Sequence, residues 1–196
     1  PVPMMNECAT PTVYLLAQVL SCIRILKAKG HYIPDIAIAG GFVNETQMLK
    51  AIAMSNLGDG HGPYVKAIAM ARAPLTAVMK ADYFAELSRN GGVPNRFASL
   101  YGQSPETFFI STPELRKQFG KAVGHEIPWS AVGLYTYYVD RLGVGLKQLM
   151  AGARKWRLDL LDRGDIVALS ERASRVTGIP TLEETAQQTM ETILDF

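Results

Sequence analysis

An alternation of short apolar stretches and helical patterns constrains the fold of this chain more than any other feature. Residues 35–40 (DIAIAG) and 64–70 (YVKAIAM) are short apolar runs, and between them residues 45–55 carry apolar side chains at helical spacing. Helical patterns also occupy residues 11–30 and 74–91. This order, with short connections, is typical of a parallel sheet covered by helices. We predict that 35–40 and 64–70 are adjacent, fully buried parallel strands, with helix 45–55 as a right-handed crossover.

The two predicted strands are too few for a complete α/β sheet or a closed barrel. We therefore expect this stretch to be part of a larger fold. After residue 92 the pattern changes, because GGVPNRFASLYGQ is loop-like and the remaining sequence is helical. The sequence predicts a first domain over residues 1–92 and a mostly α-helical second domain over residues 93–196.

Composition and charge narrow the class of protein. The 196 residues include 20 Lys and Arg against 18 Asp and Glu, a balance that favours neither nucleic acid nor an acidic membrane as partner. No apolar run reaches about eighteen residues, so no membrane span is expected. Cys8 and Cys22 are too few and too badly spaced for a zinc site or a disulfide framework. With no signal-peptide pattern at the start, the expected location is the cytoplasm.

Gly40 and Gly41 are the first candidate site residues, because they end the first predicted strand just before a helix. Ligands of α/β folds bind at this end of the strands. Glycine lets the backbone approach an anion closely, and the free amides at a helix start attract negative charge. A tight turn that needs positive φ angles explains the same two glycines equally well.

Arg72 follows the second predicted strand at the equivalent position, where it can make a two-pronged contact to phosphate or simply be a surface residue. Glu7 precedes the first helix, in a loop that lies at the same edge if a strand comes before residue 1. Lys66 is unusual within a buried strand and is expected to face a polar interior or an acidic partner. No catalytic triad order, metal-binding cluster or Walker loop occurs, so no catalytic residue or metal ligand is assigned.

Several longer segments resemble, in the same order, the FMN-binding glutamate synthase-like family. They are ECATPTVYLLAQV, PDIAIAGGFVNETQMLKAIAM, GPYVKAIAMARAP, IPWSAVGLYTYYVDRLGVGLKQLMAGARKWRL and ALSERASRVTGIP. The resemblance covers roughly residues 6 to 180. It implies that residues 1–92 are the C-terminal part of an FMN-binding (β/α)₈ TIM barrel, with strands seven and eight and their flanking helices. Residues 93–196 then correspond to the helical C-terminal extension of the family.

The resemblance also implies roles for the candidate residues. Gly40 and Gly41 match the glycines that approach the FMN phosphate, Ala71 and Arg72 match the segment that completes that cradle, and Glu7 lies near the mouth of the active site. The implied enzyme is an FMN-dependent oxidoreductase that makes glutamate by reductive amination of 2-oxoglutarate, with a 2-oxo acid or glutamate as its small-molecule substrate. The remaining barrel strands are expected upstream, so the isolated chain is expected to be inactive.

Two departures from the family bear on these expectations. The segment MSNLGDGHGPYV is longer than the family's connection between helix seven and strand eight. Residues 73–196 contain no cysteine, so this chain is not expected to hold the iron–sulfur cluster that some glutamate synthases carry after strand eight. The alternative function is a non-catalytic half-barrel that binds a phosphate-bearing ligand or acts as an oligomerisation module, burying its open sheet edge against another copy.

Overall fold

The computed structural model describes residues 9–195, which form a mixed α/β and mostly helical structure with a small parallel sheet. The chain forms two compact units. The first contains the described residues up to Phe42, Thr46–Ala69 and the described residues from Leu149 onward; the second contains Val43–Glu45 and Met70–Gln148. Among residues 9–195, no helix is both long and apolar enough to cross a membrane.

The first unit holds the sheet and the helices next to it in sequence. Its elements are α1 (Thr12–Ala28), β1 (Ile36–Ala39), α2 (Glu45–Ser55, whose first residue is grouped with the second unit) and β2 (Val65–Ala69). Later segments add two short 3₁₀ turns (Leu158–Leu160 and Arg163–Asp165) and two further helices, Glu171–Thr177 and Leu182–Leu194. The helix predicted over 45–55 is present with the same bounds, and the two predicted strands are each shorter at their ends.

The two strands pair in parallel, which confirms the predicted adjacency. Ile38 lies opposite Ile68, with alanine pairs on either side of it (Ala37 with Ala67, Ala39 with Ala69). The register shifts between Ile36 and Ala37, where β2 contributes one additional residue, Lys66. This irregularity is a β-bulge. Lys66 is exposed, so its charge stays in water and needs no buried acidic partner.

The prediction that both strands are fully buried is wrong. Ile38 is buried against the core, whereas the four paired alanines (Ala37, Ala39, Ala67 and Ala69) are exposed. The core comprises one face of α1 (Leu16, Ala17, Leu20 and Ile23), together with Ile38, Ala51, Met54, Tyr64, Val65, Ala168 and Ile179. Successive strand residues point to opposite faces, so this one core covers only one face of the sheet. In the described part of the first unit the other face has no covering layer.

The second unit is entirely helical. Its elements are α3 (Arg72–Arg89), α4 (Asn95–Tyr101), α5 (Pro105–Phe108), α6 (Thr112–Phe119), a 3₁₀ turn (Gly120–Ala122), α7 (Trp129–Thr136), a π-helix (Tyr137–Val144) and α8 (Gly145–Gly152), which continues into the first unit. Helices α3 and α7 pack closely at Gly133, where an added Cβ would lie 2.4 Å from the Cβ of Ala81. Only a residue without a side chain fits that contact.

The compact units divide the chain differently from the predicted boundary at residue 92. Helix α3, assigned by sequence to the barrel part, packs against α7 and is grouped with the helices that follow it. The chain from Leu149 onward is grouped with the sheet. The prediction that GGVPNRFASLYGQ is loop-like is wrong for most of its length, because Asn95–Tyr101 form α4, and only the short break between α3 and α4 is a loop, within one unit. The assignment of residues 1–92 to a barrel and of residues 93–196 to a helical C-terminal extension stays a prediction.

Candidate functional site

The loop after β1 has the backbone geometry that requires glycine. Gly40 has φ +107° and Gly41 has φ +78°, both in the region that side chains with a Cβ rarely adopt. The hydroxyl of Thr12 donates a hydrogen bond to the carbonyl oxygen of Gly40 at 2.9 Å, which ties the loop to the start of α1. A Cβ added at Gly41 would meet no atom of residues 9–195 within 4 Å, so the space that these residues leave beside it is open.

A cleft of about 330 Å³, here called the Gly40 cleft, lies beside this loop between α1 and α2. Its lining includes Leu16, Ile38, Gly40, Gly41 and Lys50. Ile38 is the strand residue that faces the helices, so the cleft lies on the helix-covered side of the sheet. All residues that line the Gly40 cleft belong to the first unit.

Lys50 is a cation at this cleft that the sequence prediction did not include. It is an exposed residue of α2, one and a half turns after the helix start, and it lines the cleft together with both glycines. A lysine among the polar residues of an amphipathic helix is ordinary in sequence. Only the packing of α2 beside the glycine loop gives Lys50 its position.

The start of α2 already carries a negative charge. Glu45 is the first residue of the helix, its side chain is only 14% exposed, and Arg141 Nε lies 3.5 Å from its Oε2 atom. The same oxygen has no hydrogen-bond partner among the described residues. The Glu45 carboxylate at the start of α2 already interacts favourably with the helix dipole, which is the interaction that the sequence predicted for a phosphate. The glycine amides, rather than the helix start, are therefore the better donors for an anion here.

Ala71 and Arg72 form the start of α3 rather than a loop ahead of it. The helix begins at Arg72, two residues earlier than the sequence pattern predicted, with Ala71 as its N-cap. Ala71 supplies no capping side chain, the first turn has no acidic residue, and both residues are exposed. They belong to the second unit. The role of Ala71 and Arg72 in completing a phosphate cradle with Gly40 and Gly41 stays a prediction. The third candidate, Glu7, lies outside the described residues.

Tyr137 is a second residue that sequence reasoning did not single out. Its hydroxyl donates to the carbonyl oxygen of Val43 at 2.8 Å and lies 3.7 Å from the Sδ atom of Met70. These two partners follow β1 and β2 in the chain, so Tyr137 joins the segments that leave the two strands. Burial, with a further effect of nearby Tyr138 and Glu45, raises the pKa of Tyr137 and keeps it a neutral donor.

The sequence signal for Tyr137 was ambiguous. It lies in LYTYYVDRLGVGLKQLM, whose aromatic residues the pattern favours as core. Within this segment, Tyr137–Val144 form a π-helix of eight residues, a rare element that is frequent at functional sites. The additional residue per turn changes which side chains share a face, and a pattern based on α-helical spacing does not anticipate it.

Within residues 9–195, no group of three or more His, Cys, Asp or Glu side chains is placed to hold a metal ion. Comparisons with protein-family models, with curated proteins and with solved structures found no match to this chain.

Proposed function

We propose that this chain is a C-terminal segment of an FMN-dependent, glutamate synthase-like oxidoreductase, and that it supplies part of the phosphate site of the flavin. The observation that carries the proposal is the Gly40–Gly41 loop. Two consecutive positive-φ glycines end a parallel strand, with open space beside Gly41 and a lysine on the adjoining cleft. Backbone amides and a cation together suit a phosphate group.

The uncovered face of the sheet supports the barrel part of the proposal. Parallel sheets are normally covered on both faces, and here alanine side chains leave one face exposed. In a (β/α)₈ barrel that face points into the barrel interior, where the other strands cover it. Cytoplasmic location and the use of 2-oxoglutarate and ammonia belong to the same proposal and rest on the sequence resemblance.

The residues present fit the phosphate end of FMN. Gly40 and Gly41 would direct backbone amides at the phosphate, Lys50 would neutralise part of its charge, and Arg72 remains a candidate for a second cation. Reduced FMN, when bound, supplies the hydride that converts an imine of a 2-oxo acid into an amino acid. The contribution of this chain is to bind and orient the phosphate, and Tyr137 would hold the segments that follow the two strands.

A flavin titration with a matched pair of ligands tests the proposal. FMN and riboflavin differ only in the phosphate, and quenching of flavin fluorescence reports the binding of each. We expect the chain to bind FMN more weakly than about 1 μM, because residues 9–195 contain two strands where the proposed barrel has eight, and to bind riboflavin about tenfold more weakly still. Lys50→Ala should weaken FMN binding several-fold without changing riboflavin binding, because it removes a charge from the phosphate.

Lys29→Ala is the control variant for this titration, since Lys29 is an exposed lysine just after the far end of α1. It should leave both affinities unchanged. Equal binding of FMN and riboflavin, or equal effects of the Lys50 and Lys29 variants, would contradict the phosphate site. FMN binding tighter than about 1 μM would show that the chain needs no further barrel strands to hold the flavin.

The exposed sheet face also favours a second candidate, a half-barrel that self-associates without catalysis. An uncovered parallel sheet can be covered by another copy of the same surface. Sedimentation at increasing protein concentration distinguishes the two. A colourless protein that forms dimers and binds neither flavin supports this second candidate, whereas a monomer with phosphate-dependent flavin binding supports the first.

A further inference from the structure

A second cleft in the first unit has a volume of about 590 Å³ and is here called the glycine-loop cleft. One wall is the loop Gly58–Gly62, and the facing wall is formed by residues 159–164, including Arg163. The loop precedes β2, so it lies at the opposite end of that strand from Ala71 and Arg72. The glycine-loop cleft shares no lining residue with the Gly40 cleft.

The loop is held rigidly by its own side chains. Asn56 and Pro63 pair across its base, and the amide of Asn56 donates to the Leu161 carbonyl oxygen at 2.8 Å. Asp59 accepts hydrogen bonds from the hydroxyl of Tyr64 at 2.7 Å and from the backbone amide of His61 at 3.2 Å. A loop fixed in this way loses little conformational entropy when it binds a ligand.

The loop also presents backbone donors without acceptors. Gly58, Gly60 and Gly62 all have positive φ angles, and the residues between them do not. Alternation of this kind makes backbone concavities that bind anions. The amides of Gly58 and His61 bond to side chains of the loop. Those of Asp59, Gly60 and Gly62 have no acceptor among the described residues.

Arg163 places a positive charge on the facing wall. Its guanidinium donates to the carbonyl oxygens of Met54 (3.0 Å) and Thr177, which fix its position. No carboxylate among residues 9–195 forms an ion pair with it, and a second cation, Arg24, is near enough to influence it. The partly buried charge of Arg163 is therefore neutralised by no protein group described in the structure.

The carboxylates on the cleft, by contrast, have partners. Asp159 accepts a hydrogen bond from Arg157 Nε at 2.9 Å, and Asp162 lies 2.5 Å from Lys155 Nζ. Asp162 also accepts from the backbone amide of Gly164 at 2.8 Å. These bonds occupy the acidic groups, so among the described residues the positive charge of Arg163 and the amides of Gly60 and Gly62 remain available to an anion.

We propose that the glycine-loop cleft binds a phosphate group between the free amides of Gly60 and Gly62 and the guanidinium of Arg163, all three of which line the cleft. Donors on two walls suit a tetrahedral anion with several oxygen atoms better than a planar carboxylate with two. The ligand class is a small phosphorylated molecule or free phosphate. This site is independent of the FMN proposal, because it uses other residues at the other end of β2.

Backbone NMR of the full chain tests the site, with inorganic phosphate as the probe and total ionic strength held constant with sodium chloride. We expect the amide resonances of Gly60 and Gly62 to shift and to saturate. His61→Glu adds a negative charge at the exposed rim of the cleft and should weaken this binding about tenfold. His61→Gln is the matched neutral control and should change the affinity less than about twofold.

Three results would overturn the proposal. These are the absence of saturating shifts in the loop, equal phosphate affinity in the two His61 variants, and equally large shifts with acetate. A shift at Gly41 and Phe42 alone would instead report the proposed flavin site. Arg163→Lys, which keeps the charge, should retain more binding than Arg163→Gln, and the melting temperatures of both variants show whether the carbonyl contacts of Arg163 were needed for folding.

Discussion

The Gly40–Gly41 loop and the Gly58–Gly62 loop lie in the same unit and both use glycines with positive φ angles, but they are held in different ways. The Gly40–Gly41 loop is tied by one side-chain hydrogen bond, from Thr12 to Gly40. The Gly58–Gly62 loop is held through Asp59, which bonds to Tyr64, His61 and Lys27. The first loop depends mainly on backbone conformation and the second on a side-chain network.

This difference shows that the number of glycines in a loop does not determine how firmly the loop is held. Burial alone would raise the pKa of Asp59, but the hydrogen bonds from Lys27, Tyr64 and His61 outweigh it and lower the pKa to about 2. Burial and the bond to Asp59 raise the pKa of Tyr64 to about 12. Both groups are thus held in the protonation states that the hydrogen bond needs. Among residues 9–195 the Gly40–Gly41 loop has no comparable side-chain network, which leaves its amides open to a ligand.

Asp59→Ala should have the largest effect on stability. The substitution leaves the hydroxyl of Tyr64, a residue only 1% exposed, without its acceptor and removes the ion pair with Lys27. We expect a loss of about 3 kcal/mol in the free energy of unfolding, measured by urea denaturation. Asp35→Ala, at an exposed position before β1, is the control and should change stability by less than about 0.5 kcal/mol. Equal losses of stability in the two variants would show that Asp59 stabilises the chain no more than an exposed aspartate does.

Lowering the pH should weaken the Gly58–Gly62 loop more than the Gly40–Gly41 loop. The folded pKa of Asp59, about 2, lies below its ordinary value of 3.8, so its stabilisation is complete above about pH 4 and is lost as the pH falls through about 2. This contribution is about 2 kcal/mol. The free energy of unfolding of Asp59→Asn should change less between about pH 5 and pH 2 than that of the parent chain. Unfolding free energies across that range measure it, and parallel curves would contradict the assignment.

Alanine substitutions at Gly40 and Gly41, the two glycines after β1, should lower the stability of the chain by different amounts. The Cβ of Gly41→Ala meets no neighbour in the described part of the chain, so the positive φ is what opposes it, at a cost of about 1 kcal/mol. Gly40→Ala adds a Cβ 3.1 Å from Thr12 Oγ1 and should cost about 1 kcal/mol more. In a Thr12→Ala background this additional cost should disappear, because Thr12 is the one described residue within 4 Å of the added Cβ.

Gly152→Ala is the control for this pair of glycine variants, since Gly152 is an exposed helical glycine with open space around it. The substitution should stabilise α8 by about 0.5–1 kcal/mol. Thermal unfolding of the variants gives the comparison. Equal costs at Gly40 and Gly41 would show that Thr12 does not restrain the first loop.

Local chemistry explains the parts of the fold and the candidate site that were predictable. The helix over 45–55 follows from apolar spacing, and the pairing of β1 with β2 follows from two short apolar runs joined by that helix. The positive φ angles of Gly40 and Gly41 follow from their position between a strand and a helix. Each of these inferences depends on residues close together in sequence, where few alternatives compete.

The predictions that failed or missed residues depend on partners far apart in sequence. The alanines of β1 and β2 have the composition of buried strands but remain exposed, because the described core covers one face only. Lys50 reaches the Gly40 cleft because α2 packs beside the glycine loop. Tyr137, the first residue of the π-helix, meets Val43 and Met70, which lie far from it in sequence and which spacing rules do not identify as its partners.

The sequence by itself determined where the two strands and the helix between them form, that the strands are parallel neighbours, and that the chain turns at glycines after the first strand. These properties arise from side-chain alternation, turn chemistry and the steric limits on φ. Only the tertiary structure decided which strand face is covered, which cation lies near the glycines, and that Asp59 locks the second loop through Tyr64 and Lys27. Contacts of this kind join residues distant in sequence, and their free energy depends on distances that no local pattern contains.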